Sequence, residues 1–293
     1  MAISYIGSNN STGNNPTSDS FALPSGWQDG DVAVFWWYTY ADTKTFTPPS
    51  GVTQKQQAAA SGYGRLYIGY RVLQAGDTTF AWTSSSVTNS TTIWGISVFR
   101  GVNPIGDPFE AQSGAPATFA NAINPNPPAV TTLTDKVYVI AIFGKRNDYT
   151  SITPPTGYTS AGSNSSTTGS DASAGVAHKE KTPAGSEDPA AWTLGGGATT
   201  DDGYVWTGAL TRKGNPALLY NSFPSSSVVN LHCPSCGETN HNNRYWFQAT
   251  LSAGINNIAI PTHTSLDTGS PCVDSGELIR LKRTAEETSR GDT

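Results

Sequence analysis

The chain has 293 residues, only 13% of them charged, with 30 Gly, 19 Pro, one Met and a formal net charge of −5. An acidic balance without a basic stripe excludes a nucleic-acid surface, and no apolar run is long enough to cross a membrane as a helix. Abundant turn formers and sparse charge point to a β protein, and the length exceeds what one core needs.

Residues 3–6 predict a short strand, followed by polar, turn-forming residues to 20, so 1–20 reads as an N-terminal arm. Residues 21–27 lead through the Asp29-Gly30 turn into Asp31-Val-Ala-Val-Phe-Trp-Trp-Tyr38. That unbroken β-branched and aromatic run predicts a strand buried on both faces. Thr47-Pro-Pro-Ser-Gly-Val-Thr53 then interrupts it, because proline removes ladder donors. Residues 65–72 alternate and predict a half-exposed strand, with strands at 78–83 and 92–100 completing a first half. Residues 101–108 form a crossover and 109–126 a long polar surface connection. The second half runs through a strand at 136–143, a stretch at 160–173 expected to be mobile or at a tip, a strand at 175–181, a flexible loop at 195–203 and a last strand at 204–212.

The halves repeat one another. Pro48 recurs as Pro154, an offset of 106, Trp82 as Trp192 (110) and Arg100 as Arg212 (112). Self-similarity at this period predicts one sandwich built by duplication, with halves at about 21–105 and 127–212, and two separate domains as the alternative.

Six turn and strand motifs then fall in a familiar order: Pro24-Ser-Gly-Trp27, Gly30-Asp31, Pro48-Pro-Ser-Gly51, Tyr70-Arg-Val72, Ala75-Gly-Asp77 and Phe99-Arg-Gly-Val-Asn-Pro104. Over residues 1–212 this order resembles a widespread group of tailed-phage virion proteins with a jelly-roll sandwich. Members occur as capsid decoration (cement) proteins and as tail or fibre components. The resemblance implies a non-enzymatic role on the capsid surface, the phage major capsid protein as partner, and a homotrimer at three-fold positions. It brings no catalytic residues. The Met-Ala-Ile-Ser start has neither a basic n-region nor a long apolar run, so no secretory signal is expected. Asn10, Asn89 and Asn164, in Asn-x-Ser/Thr sites, then read as turn residues. Synthesis in a host cytoplasm and release by lysis fit both observations. The alternative is a tail or fibre component that binds a host-surface glycan or receptor. A polysaccharide-degrading enzyme is a third reading, and it requires a close, buried carboxylate pair.

From Lys213 the character changes. Residues 213–224 read as a linker, 225–283 as a small β domain and 284–293 as a frayed tail, with short strands after Lys213 near 217–220, 245–250, 257–260 and 278–281. The small domain is near the size at which a core needs a staple. Cys233-Pro-Ser-Cys236-Gly has the form of a zinc knuckle; with His241 and Cys272 it makes a candidate structural Cys3His site. Reduced cysteines, or a Cys233–Cys236 or Cys236–Cys272 disulfide, are the alternatives. No other cofactor is implied.

The remaining chemistry-bearing residues have plainer readings. Asp107 with Glu110, and Asp201 with Asp202, are conceivable glycosidase pairs, but all four sit in turn-like segments where Asp caps turns. His178, beside Lys179 and Glu180, reads as an exposed strand histidine. Trp36, Trp37, Trp82, Trp94, Trp192 and Trp206 read as core rather than as a sugar platform, while Trp27 and Trp246 are freer. Arg290-Gly-Asp292 reads as a chance tripeptide. Gly-x-Ser-x-Gly, His-Glu-x-x-His and P-loop motifs are absent from the sequence.

Overall fold

The aromatic run at 31–38 folds as the expected strand, and its two apolar faces dictate the layering of everything around it. The computed structural model describes residues 2–196 and 201–213, and beyond them only the backbone of strands between 219 and 281. The described residues are strand, turn and loop, with no helix among them. The chain divides into two units, Met1–Lys213 and Gly214–Thr293.

The first half holds β1 (Ser4–Asn14), β2 (Ser18–Ala22), β3 (Val32–Thr39), β4 (Phe46–Thr47), β5 (Thr53–Ala60), β6 (Gly64–Val72), β7 (Thr79–Ser84) and β8 (Thr91–Arg100). A five-stranded sheet runs β1-β8-β3-β6-β5, and a three-stranded sheet runs β2-β7-β4. Apart from the β5–β6 hairpin, strands next to each other in sequence alternate between the two sheets, giving an all-β sandwich. The second half holds β9 (Phe109–Gln112), β10 (Ala117–Ala122), β11 (Val130–Thr132), β12 (Val137–Arg146), β13 (Ser151–Thr153), β14 (Thr159–Ser166), β15 (Ala172–Lys181), β16 (Gly185–Glu187), β17 (Thr193–Gly195) and β18 (Asp201–Leu210). Its large sheet runs β10-β18-β12-β15-β14, with β9 also on β18, and its small layer is the pairs β11-β16 and β13-β17. The strand order is that of the first half, with β12, β15, β14 and β18 in the places of β3, β6, β5 and β8.

Side-chain alternation separates three cores. Val34, Trp36 and Tyr38 of β3 face Ile140 and Ile142 of β12 in a central core between the two large sheets. Ala33, Phe35 and Trp37 point the other way, against Phe21, Phe46, Phe80 and Trp82 of the first small sheet. Val139, Ala141 and Phe143 of β12 pack likewise with Val130, Trp192 and Leu194. The duplication does not make the one sandwich expected of it; instead it makes three cores between four layers. Each half is a sandwich, and the two stand back to back. A strand that is apolar at both parities needs cover on both faces, and this arrangement supplies it.

The halves meet in a reciprocal way. β3 packs on β12, β8 on β15 and β6 on β18. At one end β1 lies against β14, and at the other Gln56 of β5 donates to Gln112 of β9 at 3.0 Å. This is the self-complementary pattern of an isologous pair, built here inside one chain. Ladder register also corrects the repeat. Val32 pairs with Phe99 and Tyr138 with Leu210, so Phe99 corresponds to Leu210 at an offset of 111 and Arg100 to Thr211, one residue before Arg212.

Several expectations at low-hydrophobicity segments are overturned. The predicted arm is β1, paired with β8 along its length, and β2, paired with β7. The predicted tip at 160–173 is largely β14, paired with β15, and the predicted connection 109–126 contains β9 and β10. β6 is mostly buried rather than half exposed, because it has a layer on each side. Asn10 and Asn164 lie in strands; Asn89, at φ +57°, is the turn residue expected.

In the second unit, β19 (Leu219–Phe223) pairs with β22 (Gly254–Ile258). β20 (Ser227–His232) lies between β21 (Phe247–Leu251) and β23 (Arg280–Leu281). β19 overlaps the strand expected near 217–220, inside the stretch otherwise read as a linker, and β20 has no counterpart among the expected strands.

Candidate functional site

The ordered motifs of the first half are a set of turns and ion pairs. Their five glycines, Gly26, Gly30, Gly51, Gly76 and Gly101, all have φ between +75° and +95°, a region closed to most side chains. Asp31 opens β3 and Arg100 closes β8, and the guanidinium clasps the carboxylate with Nε–Oδ1 at 3.0 Å and Nη2–Oδ2 at 2.9 Å. Arg71 does the same to Asp77, at 3.1 and 2.9 Å, which fixes the turn after β6. Bidentate geometry gives such pairs direction as well as charge complementarity. These residues hold strand ends in register.

The four candidate carboxylates each have partners of their own. Glu110 is in β9, not a turn, and is buried; it accepts from the Leu133 and Thr134 amides at 2.9 and 3.1 Å and from the Thr134 hydroxyl. Burial pushes its pKa up in spite of those donors. Asp107 instead takes the Phe109 amide at 3.0 Å and an ion pair with Lys55. Asp202 accepts from the Asn121 amide at 2.9 Å, and Asp201 from the Asp202 amide at 3.1 Å. Each therefore ends a strand or fixes a loop.

His178 corrects the sequence reading. It lies buried at the junction of the halves, stacked on Tyr138 at 5.1 Å and 10°, with Tyr5 at 5.0 Å and Phe99 at 5.7 Å. Its Nε2 has no hydrogen-bond partner among the described residues. Burial lowers its pKa from 6.5 to about 4, so the ring is neutral at physiological pH. The clue was parity: Val176 and His178 share the central-core face of β15.

All six tryptophans assigned to the core are buried. Trp94 and Phe21 floor a cavity of about 60 Å3 rimmed by Asn9, Asn10 and Ser20, room for a few waters. Trp94 Nε1 already donates to the Ser20 carbonyl at 3.2 Å.

Two buried lysines escaped the sequence reading. Lys145 donates to the Ala122 and Ile123 carbonyls at 2.6 and 3.0 Å and to the Tyr149 hydroxyl, and burial lowers its pKa to about 8. Its position was legible, since Phe143 and Lys145 share the inward face of β12. Lys44, in the β3–β4 loop, has no exposed surface; its Nζ donates to Asn15 Oδ1 at 3.1 Å. No periodicity marks it.

Cys233, Cys236, His241 and Cys272 lie outside the described residues, as do Trp246 and the 290–292 tripeptide. Among the described residues, no three His, Cys, Asp or Glu side chains gather where an ion could bind. No protein-family model, curated protein or solved structure matches this chain. Function must therefore be argued from the turns, the clasps and the layered fold.

Proposed function

We propose that the chain is a phage structural protein that decorates and cements a capsid by bridging major capsid proteins. What supports this is the role of the resembling motifs. They form left-handed turns and strand-end clasps that hold an all-β sandwich in register, a structural rather than a chemical use of those residues. A cement protein works by burying surface across neighbouring capsomers, and interfaces of that kind need a rigid, layered body more than a reactive cleft. The protein is proposed to assemble as a homotrimer on the virion surface, without nucleic acid or membrane. In the second unit, Cys233, Cys236, His241 and Cys272 are proposed to hold a structural zinc ion. Elemental analysis of the purified chain should then give one zinc per chain, lost on Cys233→Ser substitution.

The test is light scattering after size exclusion, followed by addition to capsids of the parent virion stripped of accessory proteins. A trimer that binds expanded capsids saturably, with copies matching the three-fold positions, is the expected result. Failure to bind capsids, with binding to host cells or their glycans instead, would move the protein to the tail or fibre.

A further inference from the structure

The β3–β4 loop and the exit of β1 bring an amine and a carboxamide together inside the protein. Lys44 is fully buried, and its Nζ lies 3.1 Å from Asn15 Oδ1. The Asn15 side chain is fixed on both of its ends. Its Oδ1 also accepts from the Val87 amide at 2.8 Å, and its Nδ2 donates to Ser86 Oγ at 3.0 Å. The Asn15 backbone is pinned too, at φ +51° with its amide on the Ser90 carbonyl at 2.9 Å. Burial is what lowers the Lys44 pKa, and it favours the neutral amine, the form that has a lone pair to give.

We propose that Lys44 and Asn15 join through an intramolecular isopeptide bond. The Lys44 lone pair attacks Asn15 Cγ, forming the new C–N bond. The charge that develops on Oδ1 is met by the Val87 amide, as at an oxyanion hole. Collapse breaks the Cγ–Nδ2 bond and ammonia leaves, carrying the proton shed by the attacking amine, with the Ser86 hydroxyl placed to relay it. A primary amide and an amine become a secondary amide and ammonia, so no oxidant or co-reactant is required. The usual fate of an activated asparagine is attack by the next backbone nitrogen. Here that nitrogen belongs to Pro16 and bears no hydrogen, so the competing ring closure is shut. Burial and fixed geometry supply the proximity that a reaction between two weak partners needs. Lys145 of the second half is held on two carbonyls and a phenol, so one bond per chain is expected.

The test is the mass of the full-length chain under denaturing conditions, followed by proteolytic mapping. The expected result is a chain lighter than its sequence by one ammonia, with a branched peptide joining the segments that carry residues 15 and 44. Lys44→Met and Asn15→Ala each abolish the loss, and Ser86→Ala slows it. A chain of full sequence mass, giving separate peptides with intact Lys44 and Asn15 after long incubation at mildly alkaline pH, overturns the proposal. So does an ammonia loss that maps elsewhere. The readout on the unaltered protein is decisive even if a variant fails to fold.

Discussion

Gly144 of β12 faces the ring of Tyr38 across the central core, where an added methyl group would lie 2.3 Å from Cδ2 of that ring. Gly144→Ala should therefore cost about 1–3 kcal/mol through overpacking, read as a lower urea midpoint at unchanged slope. Two buried titratable groups make predictions of opposite sign. For His178 the folded pKa, about 4, lies below the unfolded 6.5. The unfolded chain then binds the extra proton first, and stability falls as pH drops from 6.5 towards 4, by about 3 kcal/mol in all. His178→Phe should flatten that part of the stability–pH curve. Glu110 runs the other way, because burial raises its folded pKa. Its contribution is complete below the unfolded pKa and is lost as pH rises through the folded one. Glu110→Gln keeps an acceptor for the Leu133 and Thr134 amides, and it should gain stability relative to the parent between acid and neutral pH in paired urea melts.

At the scale of the element, legibility followed apolar content. β3 and β12 announce themselves because residues 32–38 and 137–143 are all apolar or aromatic, and Pro48 and Pro154 follow them at a short distance. β1, β10 and β14 do not, since Ser, Asn, Gly and Ala carry no period to read. β14 is a strand because β15 pairs with it, and its small residues suit a close approach: a methyl group on Gly162 would lie 3.2 Å from Trp36. Glu110 and His178 were misplaced for a related reason. Polar neighbours suggested exposure, whereas His178 is covered by Tyr5 and Phe99 from the other half and Glu110 is held by Leu133 and Thr134, just after β11 of its own half. The candidate site was less legible than the fold, because the Lys44 and Asn15 pairing joins two loops that no local pattern connects. β1 offers a test of whether a polar segment is structural. A disordered arm can be deleted harmlessly, but removal of residues 1–14 should bare the β8 edge and cause association, seen as a rise in scattered light.

On the scale of the whole molecule, the inner faces of the two large sheets have only one another for cover. Residues 1–105 produced alone would expose Val34, Trp36, Leu66 and Ile68, and should self-associate or precipitate. Produced together with residues 106–213, they should instead elute as a one-to-one complex, because the reciprocal interface needs no covalent link between its sides. The same burial governs time as well as energy. β3 stands in two cores at once, and so does β12, with a paired strand on either edge. Local fraying can reach the outer small sheets without disturbing them. Their amide hydrogens should therefore exchange with solvent only when the entire two-sandwich unit opens, at one shared rate. The β2 and β13 amides, at the periphery, should be gone long before.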